Sequence, residues 1–386
     1  MEAFAIARVQ LSFASITATP TGPERFATAF YTALWSETSG TRELFPAGME
    51  NMRQRFTTAV GWAVNKLTDV GGLEAFLGQL ARDHRKYGVR PEHFRAAGHA
   101  LLTAVRECTP LILWTAALER TWAEVIAHFT ETMAVAAAED ELPAAWGATV
   151  VGHERVLADL AIIRLETDTP IPYHAGQYMS VQIPQRPQMW RYLSAAIPPN
   201  PQGQIEFHVR RVSTGWVSGG LVSEVSVGDR WTIGPPLGGL QVDRDSGQDV
   251  LMIASGTGLA PLRAQIMEMA MRGTNPRTHL FYGGNYPCDL YDLETLWHIA
   301  MTNPWLTITP VTEELENPYW HPVPIRETPR GLQEPIQGKL GKVVASFGSW
   351  SDHQIQIAGS PSMIRTTLYA LSAGGTPRQN ISFDPL

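Results

Sequence analysis

Apolar residues return every three or four positions through the first third of the chain. Over residues 52–67 the series Met52, Phe56, Ala59, Val60, Ala63 and Leu67 follows one face of a helix. A second stripe, Leu73, Phe76, Leu77 and Leu80, continues to His84, which places that imidazole on the apolar face of its helix. Pro91, whose fixed φ suits a first helical turn, opens a third helix with the face Phe94, Ala97, Gly98, Leu101, Leu102 and Val105. A fourth is expected from about Ile112 to Ala137, through Leu118, Trp122, Val125, Ile126, Phe129 and Met133. Residues from about 22 to 139 thus read as helices throughout, and the first domain, 1–142, is expected to be all-α.

The pattern changes at ELPAAW, residues 141–146, a short linker. After it come short segments rich in Val, Ile and Thr, at 148–156, 160–168, 177–183, 205–212 and 230–236, punctuated by Gly and Pro. This spacing predicts a small antiparallel β-barrel over 143–245. From Asp249 strands alternate with helices: 249–254 then 260–272, 278–284 then 293–301, 306–311, and 355–359 then 362–371. Such alternation predicts an α/β domain with a parallel sheet over 246–386. The Pro-rich stretch 317–335 reads as a loop.

Composition adds exclusions. The 386 residues suit two or three domains, and 44% hydrophobic with 17% charged residues is a globular balance. A net charge of −7 lacks the clustered cations that nucleic acid requires, so no nucleic-acid partner is expected. Cys108 and Cys288 are the two cysteines, too few for a disulfide framework or a zinc-type spacing, which suits a reducing, cytoplasmic setting. Glu2 and Arg8 do not suit a secretory leader, and no run of about 18 apolar residues predicts a membrane span.

The sharpest local chemistry lies in LMIASGTGLAP, residues 251–261. An apolar strand ends in Ser255-Gly256-Thr257-Gly258, and a helix follows with Leu259, Ala260 and Pro261, so main-chain N–H groups at the helix start face the carboxyl edge of the sheet. A pyrophosphate suits that place, and glycine at 256 and 258 removes the Cβ atoms that would block it. Alone, the motif fits a tight turn in any α/β domain equally well. A second strand-to-helix turn, Gly359-Ser360-Pro361-Ser362-Met363, is placed to hold the other end of a dinucleotide. Gln177-Tyr178 lies on one barrel strand and Arg191-Tyr192-Leu193-Ser194 on the next, where a guanidinium can pair with phosphate and an aromatic can flank a flavin ring.

With these four blocks in order, residues 148–386 resemble the ferredoxin-reductase family of FAD- and NAD(P)H-binding modules. The resemblance implies that Gln177, Tyr178 and Arg191 to Ser194 contact FAD, that Val217 and Ser218 help hold its phosphates, and that Gly256 to Pro261 with Gly359, Ser360, Pro361 and Met363 cradle NADH or NADPH. The absence of an evident arginine beside Gly283-Gly284-Asn285 leans towards NADH. Three departures stand out: Leu193 occupies the place of the family's ring-stacking tyrosine, Ala358 that of its usual cysteine, and the chain ends at Phe383-Asp384-Pro385-Leu386 without a longer aromatic tail.

Residues 80–102, LARDHRKYGVRPEHFRAAGHALL, resemble the passage between the F and G helices of flavohaemoglobins, with His84 at the iron ligand. Phe30-Tyr31 matches the family's pair with a distal tyrosine, and Phe45 its aromatic on the haem face. The resemblance therefore implies haem b, FAD and a nicotinamide cofactor: hydride passes to FAD, single electrons to haem, O2 binds there, and nitric oxide becomes nitrate. It also implies a monomer or weak oligomer. Departures again appear. The partners that usually back the proximal histidine correspond to Phe94 and to Val135 or Met133, and the distal glutamine to Met52, with Gln54 two residues on. Without that electron push the divergent, type II branch is indicated. Two alternatives stay open: an electron-transfer oxidoreductase with another donor or acceptor, or a haem-based O2 sensor.

Overall fold

The computed structural model describes residues 2–37, 42, 45, 49–213, 215–321 and 328–384, apart from the Asn51 side chain. Parts of the stretch 383–386 and of the loop 317–335, both read above, lie outside the described residues. Contacts divide the chain into two units, Met1–Ala145 and Trp146–Leu386.

The first unit is helical: α1 (Ala3–Thr17), α2 (Gly22–Glu37), α3 (Glu50–Asn65), α4 (Val70–His84), α5 (Pro91–Cys108) and α6 (Ala116–Glu139). Helix α1 escaped the sequence reading, although Ile6, Val9, Phe13 and Ile16 are all buried at helical spacing. It is tied to α6 by the buried Trp122, whose Nε1 donates to Ser12 Oγ at 2.9 Å. The start of α6 is later than expected. Thr115 caps it by accepting the Leu118 N–H at 3.2 Å, and Leu111 and Ile112, 92% and 90% exposed, sit in the preceding turn. Apolar character alone had drawn Ile112 into the helix. Asp69 caps α4 similarly, accepting from the Gly72 N–H at 3.2 Å.

The second unit carries two sheets. The first contains β1 (Trp146–Leu157), β2 (Leu160–Thr167), β3 (Tyr178–Gln182), β4 (Arg191–Ser194), β5 (Gln204–Arg210) and, after the short helix α7 (Trp216–Ser223), β6 (Arg230–Leu237). Its order is β4-β3-β6-β1-β2-β5 with antiparallel neighbours. The sheet curls until its edges meet in one bridge, Ala195 to Phe207, in place of a full closing ladder. Its core is lined by Trp146, Met179, Val181, Phe207 and Trp231.

The second sheet is parallel. It holds β7 (Asp249–Ser255), α8 (Leu259–Ala270), β8 (Thr278–Gly284), α9 (Leu293–Thr302), β9 (Leu306–Thr312), β10 (Ile336–Gln337), α10 (Leu340–Ser346), β11 (His353–Ala358), α11 (Pro361–Ala373) and β12 (Ile381–Ser382). The order β10-β9-β8-β7-β11-β12 has apolar clusters on both faces, the arrangement expected of a sheet covered by helices. Helices α7 and α10 and the two-residue strands β10 and β12 are too short to leave a periodic signal. Strand order reverses at β7, with β8 on one side and β11 on the other. The carboxyl ends of β7 and β11 therefore border the crevice where ligands of such sheets bind.

At the opposite edge, His279 stacks on Phe281 with ring centroids 4.2 Å apart and meets Thr309 Oγ1 at 2.9 Å. Burial, with the charge of His353, lowers its pKa from 6.5 to about 4. The unfolded chain takes up that proton at higher pH than the folded one, so this contribution to stability is complete above pH 6.5 and is lost as pH falls towards 4. Thermal melts of wild type and His279→Gln between pH 4 and 7 should show the wild type losing more stability on acidification; parallel curves would refute the assignment.

Candidate functional site

His84 ends α4, followed by a tight turn at 85–87 and Gly88 at φ +77° before α5 begins. Its Nδ1 lies 2.6 Å from the Leu80 carbonyl oxygen. A carbonyl only accepts, so the proton sits on Nδ1 and donates to it, leaving the Nε2 lone pair for a metal. Burial lowers the imidazole pKa, against the opposing pull of the Leu80 carbonyl, and favours the neutral ring that ligation requires. Phe94 packs in a cluster with Ala81, Ala137 and Met133, whereas Val135 is 47% exposed. Met133 is thus partly buried against Phe94 and Val135 is not.

Tyr31, on α2, is 4% exposed. Its ring meets Phe30 edge-on at 5.1 Å and Phe45 at 5.5 Å, and stacks on Trp35 at 5.7 Å. Burial pushes the phenol pKa up, with only partial opposition from Arg53, so Tyr31 stays a hydrogen-bond donor at neutral pH. From α3, Phe56 approaches the Tyr31 ring at 5.6 Å and Met52 packs against the same core, while Gln54 is exposed. Trp35 Nε1 and Arg53 Nε are buried without a partner among the described residues. Unmatched donors beside an aromatic wall suit a large apolar ligand with acidic groups, and a histidine presenting Nε2 suits its iron, so the residues present fit haem.

In the first sheet of the second unit, β3 and β4 pair with Tyr178 opposite Ser194, Met179 opposite Leu193 and Ser180 opposite Tyr192. Alternation then sorts the side chains. Tyr178, Tyr192 and Ser194 share one face, with the two rings edge-on at 5.4 Å, while Leu193 packs with Met179 and Val181 against the core. Leucine at 193 is a core residue, and the neighbouring aromatic pair is what this sheet offers a flat ring. Gln177 bridges two segments, its Oε1 accepting from the His174 N–H at 2.9 Å and its Nε2 donating to the Gly238 carbonyl at 3.1 Å. Gly238 has φ +86°, and a side chain there would strike the Tyr178 ring and Asp384. Asp384 accepts the Gly239 N–H at 3.2 Å, and burial raises its pKa. Phe383, beside it, is partly buried and lies under Arg378 at 4.9 Å. Val217 is buried at the start of α7, and Ser218 Oγ holds the preceding turn by donating to the Gly215 carbonyl and accepting the Val212 N–H, both at 3.1 Å. Two phenols on one face of β3 and β4 and the start of α7 fit a flavin ring and its diphosphate, whereas Arg191, paired with Val181, falls on the Leu193 face and donates to the Trp190 carbonyl at 2.8 Å.

At the switch point the two glycine turns abut. A Cβ on Gly258 would overlap the Ala358 carbonyl and the Gly359 Cα, and one on Gly359 would meet Met363 Cε and Ser255. Gly256 adopts φ +54° with open space around it. Ser360 caps α11 by accepting the Met363 N–H at 3.2 Å. Thr257, Leu259, Ala260 and Pro261 carry the chain into α8, and Pro361 occupies the first turn of α11. Two helix starts thus converge on one crevice whose floor is bare glycine, which fits an extended dinucleotide.

The globin family profile matches residues 28–133, the oxidoreductase FAD-binding domain profile 147–242, and the oxidoreductase NAD-binding domain profile 252–368. The ferredoxin–NAD(P)+ reductase CarAd of Metapseudomonas resinovorans is 30% identical over 239 residues, covering 61% of this chain and 68% of that protein. The flavohemoprotein of Bordetella pertussis is 28% identical over 264 residues, 63% of this chain and 65% of the relative. The chain spans less than half, 45%, of another relative, the phenol 2-monooxygenase reductase component DmpP of a Pseudomonas species, at 30% identity over 41% of this chain. The solved flavohemoglobin of Malassezia yamatoensis, with bound FAD and heme, aligns over 99% of this chain and 98% of its own at a TM-score of 0.78 and 14% identity, and so shares the fold. Fold and site together define a globin joined to an FAD- and NAD-binding oxidoreductase module. The chain belongs to the flavohaemoglobin family, with haem, FAD and a nicotinamide dinucleotide as its cofactors. Among the described residues no helix is long and apolar enough to cross a membrane.

Proposed function

We propose that this protein is an NAD(P)H-dependent flavohaem oxidoreductase, in which electrons run from the dinucleotide through FAD to haem, with O2 and nitric oxide as substrates of the globin domain. The observation that carries the reading is the His84 imidazole, anchored through Nδ1 on the Leu80 carbonyl with Nε2 left for iron, in a chain that also holds FAD- and NAD-binding domains. The proposed domains are 1–142 for haem, 143–245 for FAD and 246–386 for the dinucleotide. When bound, FAD supplies hydride acceptance and one-electron release, and haem supplies an iron that takes O2.

The chain's own residues have the following roles in this reading. His84 supplies the axial bond, and Phe45 packs on the haem face. Tyr31 donates a hydrogen bond in the distal pocket, where its aromatic neighbours exclude water. Gln177, Tyr178, Tyr192 and Ser194 hold FAD, with Val217 and Ser218 at its phosphates. The turns at Gly256 to Pro261 and at Gly359 to Met363 orient the dinucleotide.

A second reading, an electron-transfer oxidoreductase with little nitric oxide dioxygenation, is favoured by one feature. The Nδ1 proton of His84 goes to a neutral carbonyl, and Phe94 and Met133 supply no carboxylate to strengthen the ligand. Anaerobic stopped-flow mixing with NADH, then oxygenated nitric oxide, separates the two. Haem reduction followed by stoichiometric nitrate supports dioxygenation; haem reduction without nitrate supports electron transfer; neither would leave a sensor and refute both. Tyr31→Phe is expected to speed O2 release by roughly 5–13-fold, the loss of about 1–1.5 kcal/mol of hydrogen bonding, as measured by flash photolysis. An unchanged rate would remove Tyr31 from the distal role.

A further inference from the structure

Where β5 of the first sheet meets α8 lies a largely buried polar network that none of the roles above uses. Its centre is Arg263, in the second turn of α8, the helix that the Gly256–Gly258 turn leads into. Arg263 Nε donates to Asp292 Oδ2 at 2.6 Å, and Nη1 donates to the Ala196 carbonyl at 2.7 Å and lies 3.2 Å from Glu206 Oε1. Nη1 also approaches the Met267 sulfur at 3.2 Å. Asp292 flanks the start of α9, whereas Ala196 is two residues past Ser194 and Glu206 lies on β5. One guanidinium therefore grips both sheets.

The groups around it complete the circuit. Glu206 Oε2 accepts from Arg164 Nε at 2.7 Å and Glu206 Oε1 meets His208 Nε2 at 3.0 Å, while the Tyr291 hydroxyl lies 2.7 Å from His208 Nδ1. A neutral His208 satisfies both contacts, donating from Nε2 and accepting the Tyr291 proton at Nδ1. Ala196 is held from its other side as well, its N–H donating to the Glu206 carbonyl at 2.8 Å. Strand β5 in turn packs against the Gly256–Gly258 turn. The segment that leaves Ser194 and the helix that receives the dinucleotide turn are thus pinned to one rigid fork, a geometry lysine cannot copy.

We propose that Arg263 is a positioning residue for hydride transfer: it spaces the dinucleotide turn on α8 from the flavin-facing segment Ser194–Ala196. This rests on the hydride route proposed above. In that step the dihydronicotinamide loses a hydride, two electrons and one proton, to the flavin ring and leaves as the oxidised nicotinamide, so the donor and acceptor atoms must be held at a fixed approach. Misplacement of about 1 Å lowers such a rate by on the order of a hundredfold without weakening the binding of either partner.

The test uses the full FAD-loaded chain and Arg263→Lys, which keeps a positive charge between Glu206 and Asp292. Rapid mixing with NADH reads the limiting rate of flavin bleaching, its NADH dependence and the long-wavelength charge-transfer absorbance between nicotinamide and flavin. Amide hydrogen exchange on the flavin-free chain reads the protection of residues 194–196. The expected result is retained FAD, NADH affinity within about threefold, a limiting rate lower by about tenfold to a hundredfold, a weakened charge-transfer band and faster exchange at 194–196. A limiting rate within about twofold of wild type overturns the proposal. So does loss of FAD, which would make Arg263 a prop of the flavin pocket itself. Should Arg263→Lys fail to fold, Asp292→Asn loosens the same fork and must slow bleaching in the same direction; no slowing there overturns the spacing role. A wild-type chain that NADH cannot bleach refutes the hydride route, while the exchange comparison still decides whether Arg263 joins the two segments.

Discussion

Replacing His84 with alanine should leave a folded, flavin-containing chain that no longer holds haem through an axial imidazole. The expected effect is large because one side chain supplies the only protein–iron bond in this reading, and second-shell changes alone commonly cost about 10–100-fold in metal affinity. His84 is prepared for that bond: the Leu80 carbonyl selects its tautomer and burial keeps it neutral. The measurement is the Soret absorbance per flavin in purified protein, which should fall at least about tenfold. His84→Gly with imidazole added in solution should regain part of it, since the added ring can occupy the vacated space. Haem content and axial ligation unchanged in the alanine variant would end the account of the helical unit while leaving the dinucleotide turns untouched.

Gly258→Ala should part the two glycine turns and weaken dinucleotide binding directly. Its Cβ would overlap the main chain of Ala358 and Gly359, neither of which is a flexible side chain that can swing aside, so the turns after β7 and β11 must part. Overpacking of this kind costs about 1–3 kcal/mol, equivalent to roughly 5–150-fold in dinucleotide affinity if the strain falls on the crevice. NADH binding, followed by quenching of tryptophan fluorescence, should weaken accordingly while FAD and haem remain at wild-type levels. Gly273→Ala is the control, because that exposed position past the end of α8 has open space around it and lies outside the crevice. Equal affinities in wild type and Gly258→Ala would mean that the dinucleotide lies elsewhere.

The helical stripes of α3 to α6 were legible because each element buries one face against its neighbours, so periodicity survives in the sequence itself. Helix α1 carries the same signal in Ile6, Val9, Phe13 and Ile16, but over a single 15-residue helix at the chain start a leader-like apolar run and an amphipathic stripe look alike. Strand segments and glycine turns were likewise legible, since turn geometry and alternation are local matters. The approximate start of α6 was not, because a capping threonine outweighs two apolar residues that protrude into solvent.

Local chemistry alone thus determined the succession of helical, antiparallel and parallel regions, and the kinds of residue brought to each. What the tertiary structure decided was which of them meet. Strand order put the turns of β7 and β11, about a hundred residues apart, in contact at one crevice. Register turned Leu193 into the core and brought Tyr178 edge-on to Tyr192, and packing buried Met133 against Phe94 while leaving Val135 exposed. The Arg263 fork was invisible for the same reason: its partners at 196, 206 and 292 are brought together by the meeting of two sheets, and no spacing along a single element encodes that.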